Sequence, residues 1–188
     1  MYYHASSVAG IKLLEPRVSN HHIPLIYFSK KRENVLVYLS NAVEKYCVEN
    51  GFHHTGVWRK WATYGFDRDG VQRIEEYYPN ALFDTYKGVG GWIYSARYVE
   101  DCGFQVQIPD AASSDKPVAV DACEFVSDAY EAILMAQQQG LIRITRYEEL
   151  SEARRGWIQK TISEEYQSSG DAPDYQFFLR GKFGELPG

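Results

Sequence analysis

Three side chains near the amino terminus have types and spacing suited to holding a flat, polar heterocycle: His4 in Tyr3-His4-Ala5-Ser6, Tyr27 in Ile26-Tyr27-Phe28-Ser29, and Tyr38, eleven positions after Tyr27. An imidazole nitrogen can accept a hydrogen bond from a sugar hydroxyl. Two phenol rings can sandwich a flat cation by stacking and by the attraction of the ring quadrupole for positive charge. Together these groups would hold a flat, polar heterocycle.

The elements that must position these groups can be read from pattern. Residues 2–6 are short and β-prone, residues 8–14 suggest a helical turn ended by Pro16, and Pro24 opens a strand from Leu25 to Ser29. A long helix is predicted from about Arg32 to Asn50, stopped by Gly51, with Val35, Leu39, Ala42, Val43 and Tyr46 on one stripe and Tyr38 at its edge. Asp67-Arg68-Asp69-Gly70 is a turn signal that predicts a hairpin, and Pro79 opens a short helix ending near Gly88. Residues 92–99, 104–108 and 118–126 are predicted strands, with a polar loop from Pro109 to Pro117. Ser127 or Asp128 caps a helix that Gly140 ends, Leu141 to Tyr147 alternates as a half-exposed strand, and Ser151 caps a last helix to about Gln167. Hairpin-like neighbours without regular βαβ alternation predict α+β: a single domain over residues 1–167, with a mainly antiparallel sheet, whole or split, and flanking helices. Residues 168–188 are predicted to form a tail, either poorly ordered or docked through Phe177 and Phe178.

Composition narrows the function classes. An apolar fraction of 45% with 24% charged residues is that of a globular chain, so a core can form without disulfides or metal. A net charge of -5 argues against a broad nucleic-acid surface, which needs clustered Lys and Arg; the longest basic run is Lys30-Lys31-Arg32. Cys47, Cys102 and Cys123 are an odd number of widely spaced cysteines, read as free thiols in a reducing compartment. No apolar run nears the ~18 residues of a membrane span, and Met1-Tyr2-Tyr3-His4 lacks signal-peptide character. The expected location is cytoplasmic, with no membrane partner. His21-His22 and His53-His54 do not suggest a metal site, because adjacent side chains point apart and no Cys-x-x-Cys or His-Glu-x-x-His accompanies them. Gly88-Val89-Gly90-Gly91 precedes a strand, whereas a dinucleotide fingerprint follows one.

Tyr3-His4-Ala5-Ser6, Gly10-Ile11, Ile26-Tyr27-Phe28-Ser29 and Tyr38 together resemble the ADP-ribosyltransferase fold, nearest its poly(ADP-ribose) polymerase-like branch with a His-Tyr-Glu signature. The resemblance covers roughly the first 40 residues, and the tyrosine spacing is its specific part. It implies NAD as substrate, with activity as an NAD-dependent ADP-ribosyltransferase or NAD glycohydrolase passing ADP-ribose to an acceptor, such as a protein, or to water. It also implies that His4 holds the adenosine ribose, that the Ala5 backbone, followed by Ser6, meets the carboxamide, and that Tyr27 and Tyr38 flank the nicotinamide. Glu124, in Ala122-Cys123-Glu124-Phe125-Val126, resembles the family's glutamate strand and would be the catalytic carboxylate; Glu75, Glu76 and Glu100 are rivals. Two departures stand out. Ala5 replaces the family's glycine, and Val35 replaces a serine that contacts the carboxamide.

Two other classes fit the chain. A dense aromatic belt from Trp58 to Tyr94 suits a core, the wall of a ligand cleft, or the face of a non-catalytic binding module. A nucleotide- or RNA-end-processing transferase on the same fold is opposed by the negative charge.

Overall fold

The computed structural model describes residues 1–18, 23–57, 63–104, 107–184 and 186. The strands are β1 (Tyr2–Ser6), β2 (Leu13–Leu14), β3 (Arg17–Val18), β4 (Pro24–Ser29), β5 (Thr63–Phe66), β6 (Gln72–Glu75), β7 (Gly91–Ala96), β8 (Ala111–Ser114), β9 (Val118–Ala119), β10 (Ala122–Val126) and β11 (Ile142–Thr145). The α-helices are α1 (Ala42–Glu49), α2 (Ala81–Tyr86), α3 (Ala129–Gln138), α4 (Glu152–Ser168) and α5 (Pro173–Phe183), joined by 3-10 turns at Glu33–Tyr38 and Tyr147–Glu149.

The main sheet has six strands in the order β10-β7-β1-β4-β3, with β8 also on β4, and every pairing in it is antiparallel. A second sheet, β11-β6-β5, combines the Asp67–Gly70 hairpin with a parallel β6–β11 pair. The two-stranded pair β2–β9 completes the set. The architecture is therefore mixed α and β with mostly antiparallel sheets.

Side chains alternate across a strand, so the main sheet has two apolar faces. On one face Ala5, Ile93 and Val126 pack under Val35, Leu36 and Leu39 of the 3-10 segment and under Ala129 and Ile133 of α3. On the other, Ile26, Phe28, Tyr94 and Ala96 meet Leu14, Val99 and Val118. A third cluster joins α1, α4 and α5 through Val43, Cys47, Ile162, Tyr166 and Phe178.

Several sequence expectations need correction. The helix expected from Arg32 to Asn50 is two segments, broken at Leu39–Asn41. Ser40 and Asn41 compete for backbone hydrogen bonds and disfavour a helix interior. Leu39 turns away at φ -81°, ψ 70°, closing only a Leu39 N–H to Leu36 carbonyl bond. Residues 8–14 hold no helical turn; Leu13–Leu14 is a strand instead. The expected Pro109–Pro117 loop contains β8, whose small residues are buried through pairing with β4. The expected strand 118–126 is broken at Val120–Asp121, where Val120 N–H bonds Lys12 and Asp121 N–H bonds Ser95. Of the expected strand 104–108, Phe104 and residues 107–108 are turn or bend, and residues 105–106 lie outside those described. So do His21, His22, Trp58 and Trp61. Asp128 is the cap expected for α3, its carboxylate accepting from the Tyr130 and Glu131 amides, but Glu131 pairs with Lys87 instead of closing a capping box. The helix from Ser151 is not the last: α5 follows, with Phe178 fully buried.

Candidate functional site

β1 and β4 share one bridge, Tyr3 with Ser29, and then part. β1 continues beside β7 to Ser6, while β4 lies along β8 from Ser29 back to Ile26. Between His4–Ser6 and Ile26–Phe28 the two strands share no further bridge, an opening in the ladder that the His4 side chain spans. Beyond Tyr3, no strand among the described residues pairs with β1 on that side.

The His4 ring stands in this opening. It tilts against Phe28 with ring centres 5.9 Å apart, and its Nδ1 lies 2.9 Å from the Tyr27 carbonyl oxygen. A carbonyl only accepts, so Nδ1 carries the proton, and in the neutral ring Nε2 is left as an acceptor. Burial pushes the imidazole pKa down from 6.5; the bond to Tyr27 opposes that shift and the Arg17 charge adds to it. His4 is thus neutral at pH 7.

Ile26 and Phe28 face the second apolar cluster, so Tyr27 faces the other way, toward Ala5 and the 3-10 segment. Tyr27 and Tyr38 are close enough for their hydroxyls to interact electrostatically. Tyr38 packs edge-on to Tyr64 of β5, centroids 5.7 Å apart at 78°. The Tyr38 and Tyr64 hydroxyls are hydrogen-bonded to each other. Burial is the largest effect on both and pushes both pKa values up; fully buried Tyr86, behind them, is raised in the same way. None of the three is a base near pH 7.

The His4 side chain lies on the Phe28 face of the main sheet, whereas Ala5, Tyr27 and Tyr38 lie on the other face; His4 meets this group through the Tyr27 carbonyl. The Ser6 hydroxyl is occupied, accepting from the Val8 amide at 3.1 Å. Glu124 lies elsewhere. In register it follows Ala5–Ile93–Glu124, two strand spacings from Ala5, roughly 10 Å. It leaves the sheet on the face that carries Ala5 and Tyr27, opposite His4. Arg32 grips it with two hydrogen bonds, Nε to Oε2 at 2.8 Å and Nη2 to Oε1 at 2.5 Å. These hold its pKa below the ordinary carboxylate value. The rivals are engaged too: Glu75 with Arg154 at 2.8 and 2.6 Å, Glu76 with Arg146 at 3.2 Å and with the Leu82 amide, and Glu100 with Lys116.

Val35 is 1% exposed and packed in the core. Residues three apart in a 3-10 segment stack on one ridge, so Val35 shares the ridge of Tyr38 but presents methyl groups there. Tyr64 belongs to the aromatic belt noted in the sequence, yet nothing in its spacing singles it out as the partner of Tyr38; the pairing is made by tertiary packing.

Among the described residues no group of three or more His, Cys, Asp or Glu is arranged to hold a metal ion, and no helix is long and apolar enough to cross a membrane. Compared with protein-family models, with curated proteins and with solved structures, the chain matches none.

Proposed function

We propose that the chain binds NAD or a closely related nucleotide in the opening between β1 and β4, in the manner of an ADP-ribosyltransferase-like protein. The observation that carries the reading is the parting of these two strands after one bridge, with His4 in the gap and Tyr27 and Tyr38 beside it. Each group has a role that its state supports. The Nε2 of neutral His4 accepts from a ribose hydroxyl. The Ala5 backbone, without a strand neighbour on its open side, pairs with the carboxamide. Tyr27 and Tyr38 offer ring faces to the pyridinium, and the Tyr38 hydroxyl hydrogen-bonds the ligand.

Binding without transfer is a second reading, and one observation favours it: Glu124 and each of its rivals are held in ion pairs. If ADP-ribose is transferred, Glu124 must leave Arg32 and act on the ribose as the nicotinamide bond breaks. The test has two arms. Millimolar NAD should raise the melting temperature of the wild-type protein and not that of Tyr38→Ala; no shift in the wild type rejects the site. Release of free nicotinamide from NAD, abolished by Glu124→Gln, would establish transfer. Binding with no release leaves the non-catalytic module.

A further inference from the structure

Strand β10 ends the main sheet, and among the described residues it pairs with β7 alone. The Ser95 carbonyl accepts from the Asp121 amide, so Ser95 turns its backbone groups toward β10. By alternation along β7, Ile93 and Gly91 do the same. Their register partners Ala122, Glu124 and Val126 therefore bond inward, and Cys123 and Phe125 turn their N–H and C=O groups outward. Native sheets guard such an edge with shortness, proline, charge or a covering segment. The other outer strands of this sheet are guarded. β3 is two residues long and follows Pro16, and the Cys102 amide covers the Ser113 carbonyl on the outer side of β8. On β10 the one charge, Glu124, is neutralised by Arg32. Beside it Phe125 is 56% exposed, its ring centre 4.9 Å from that of Trp92.

We propose that the outer edge of β10 is a two-fold interface, on which β10 of a second copy adds antiparallel about Glu124 and joins the two main sheets into one. The proposal does not depend on the nucleotide reading. In this register Cys123 of each copy lies opposite Phe125 of the other, and the two residues exchange both main-chain hydrogen bonds. The occupant is a second copy because the two ends of the edge complement each other in charge. At one end Arg97 stands 81% exposed, 3.6 Å from Asp121. At the other, Asp128 and Glu131 share the single ammonium of Lys87, at 3.1 and 2.5 Å, which leaves an excess of negative charge. Antiparallel pairing sets each end against the other, and a copy of the same strand carries both in the order required. On the Trp92 face each Phe125 ring closes over Cys123 of the other copy. On the opposite face each Glu124 keeps its own Arg32, which offsets the meeting of like charges at the axis.

Sedimentation of the full-length wild-type protein over a concentration series should show a reversible monomer–dimer equilibrium. Phe125→Lys, at a position exposed enough to spare the fold, should weaken the dimer at least about 10-fold, because two ammonium groups then meet beside the axis. Phe125→Cys reads the register. It sets a new thiol opposite Cys123 of the other copy, at a Cα separation that a disulfide spans. In the wild type, Cys123 and its copy are diagonal neighbours roughly 7–8 Å apart, beyond that reach. Oxidised glutathione should therefore give a Phe125→Cys dimer crosslinked between Cys123 and the introduced thiol, reversed by reductant, and no Cys123–Cys123 crosslink in the wild type. A wild type that stays monomeric at submillimolar concentration overturns the proposal and leaves the edge to a strand from another protein. A dimer indifferent to Phe125→Lys overturns it too, because the contact then lies elsewhere. A crosslink between the two introduced thiols, or between the two copies of Cys123, overturns the pairing about Glu124.

Discussion

His4 ties β1 to the Tyr27 carbonyl and, in the function proposed above, offers its other nitrogen to the nucleotide. Its pKa makes the first role measurable. Burial lowers the folded-state value below 6.5, so the folded chain refuses a proton that the unfolded chain accepts. His4 therefore contributes stability above pH 6.5, and that contribution drains away as pH falls toward the folded-state value. His4→Asn keeps a donor near the Nδ1 position but does not titrate. The wild-type protein should lose up to about 1.4 kcal/mol per pH unit on acidification through this window, relative to the variant. Urea unfolding of both at pH 7.5 and 5.5 reads the difference; parallel losses would mean His4 does not control it. Tyr38→Phe tests the second tyrosine role. The ring stays, while the nucleotide and the Tyr64 hydroxyl each lose a hydrogen-bond partner. NAD affinity should fall by about 0.5–1.5 kcal/mol, the worth of one neutral hydrogen bond, with a stability loss of similar size. Calorimetric titration and thermal unfolding measure the two separately. Residue types and their spacing suggest these roles in the sequence. The protonation states, and the bond with Tyr64, come from burial and from contacts across 26 residues of chain (Tyr38 to Tyr64), which no local pattern encodes.

The element that orients Tyr38 is the 3-10 segment Glu33–Tyr38, and its length is set by the break at Leu39. Apolar spacing continues across that break, since Val35, Leu39, Ala42 and Val43 are all buried, so periodicity alone reads one helix where there are two. β8 was hidden for the opposite reason. Ala111–Ser114 has no bulky alternation, and it is a strand because the β4 edge needs a partner. The Asp67–Gly70 hairpin and the Asp128 cap were legible because turn and cap chemistry is local. Gly91 joins the break to the sheet. A Cβ there would meet Leu39 Cδ2 at 2.6 Å and the Ser6 carbonyl oxygen at 3.0 Å. The Leu39 side chain can shift, but the backbone oxygen on β1 is held by the sheet. Gly91→Ala should therefore cost about 1–3 kcal/mol of stability as an overpacked core does. It should also weaken NAD, because Leu39 follows Tyr38 directly. Denaturant midpoints and NAD titration at saturating folded population check both; an unchanged midpoint would show that the 3-10 segment moves freely against β7.

At the scale of the molecule, the site and the carboxy-terminal helices draw on different cores. The opening is backed by the two clusters that sandwich the main sheet, while α1, α4 and α5 share the third. Asp174 ties that third cluster together. Its carboxylate is fully buried and accepts from the Thr55 amide at 3.0 Å, the Thr55 hydroxyl at 2.6 Å and the Tyr175 amide at 2.9 Å. Its own carbonyl oxygen accepts from the Cys47 thiol at 3.7 Å. Burial alone would raise the Asp174 pKa, but the bonds from Thr55 and Tyr175 outweigh it and hold the value below 3.8. The unfolded chain thus takes up the proton first on acidification, and the stability Asp174 contributes is present above about pH 4 and lost as pH falls through its folded-state value. The sequence marks 168–188 only as a Gly- and Pro-rich tail, poorly ordered or docked through Phe177 and Phe178, because Thr55 and Cys47, which hold Asp174, lie more than a hundred residues away. Asp174→Ala strands the Thr55 amide and hydroxyl without an acceptor, at an expected cost of about 2–4 kcal/mol in unfolding free energy. Phe178→Ala should cost about 3–5 kcal/mol through the cavity it leaves in the same cluster. Neither residue lies in the clusters that back His4 and Tyr27. Each variant, assayed at a temperature where it remains folded, should therefore bind NAD with wild-type affinity while its melting temperature drops. Loss of affinity in step with stability would mean instead that the helical cluster and the opening form one cooperative unit, and that α5 helps set the distance between β1 and β4.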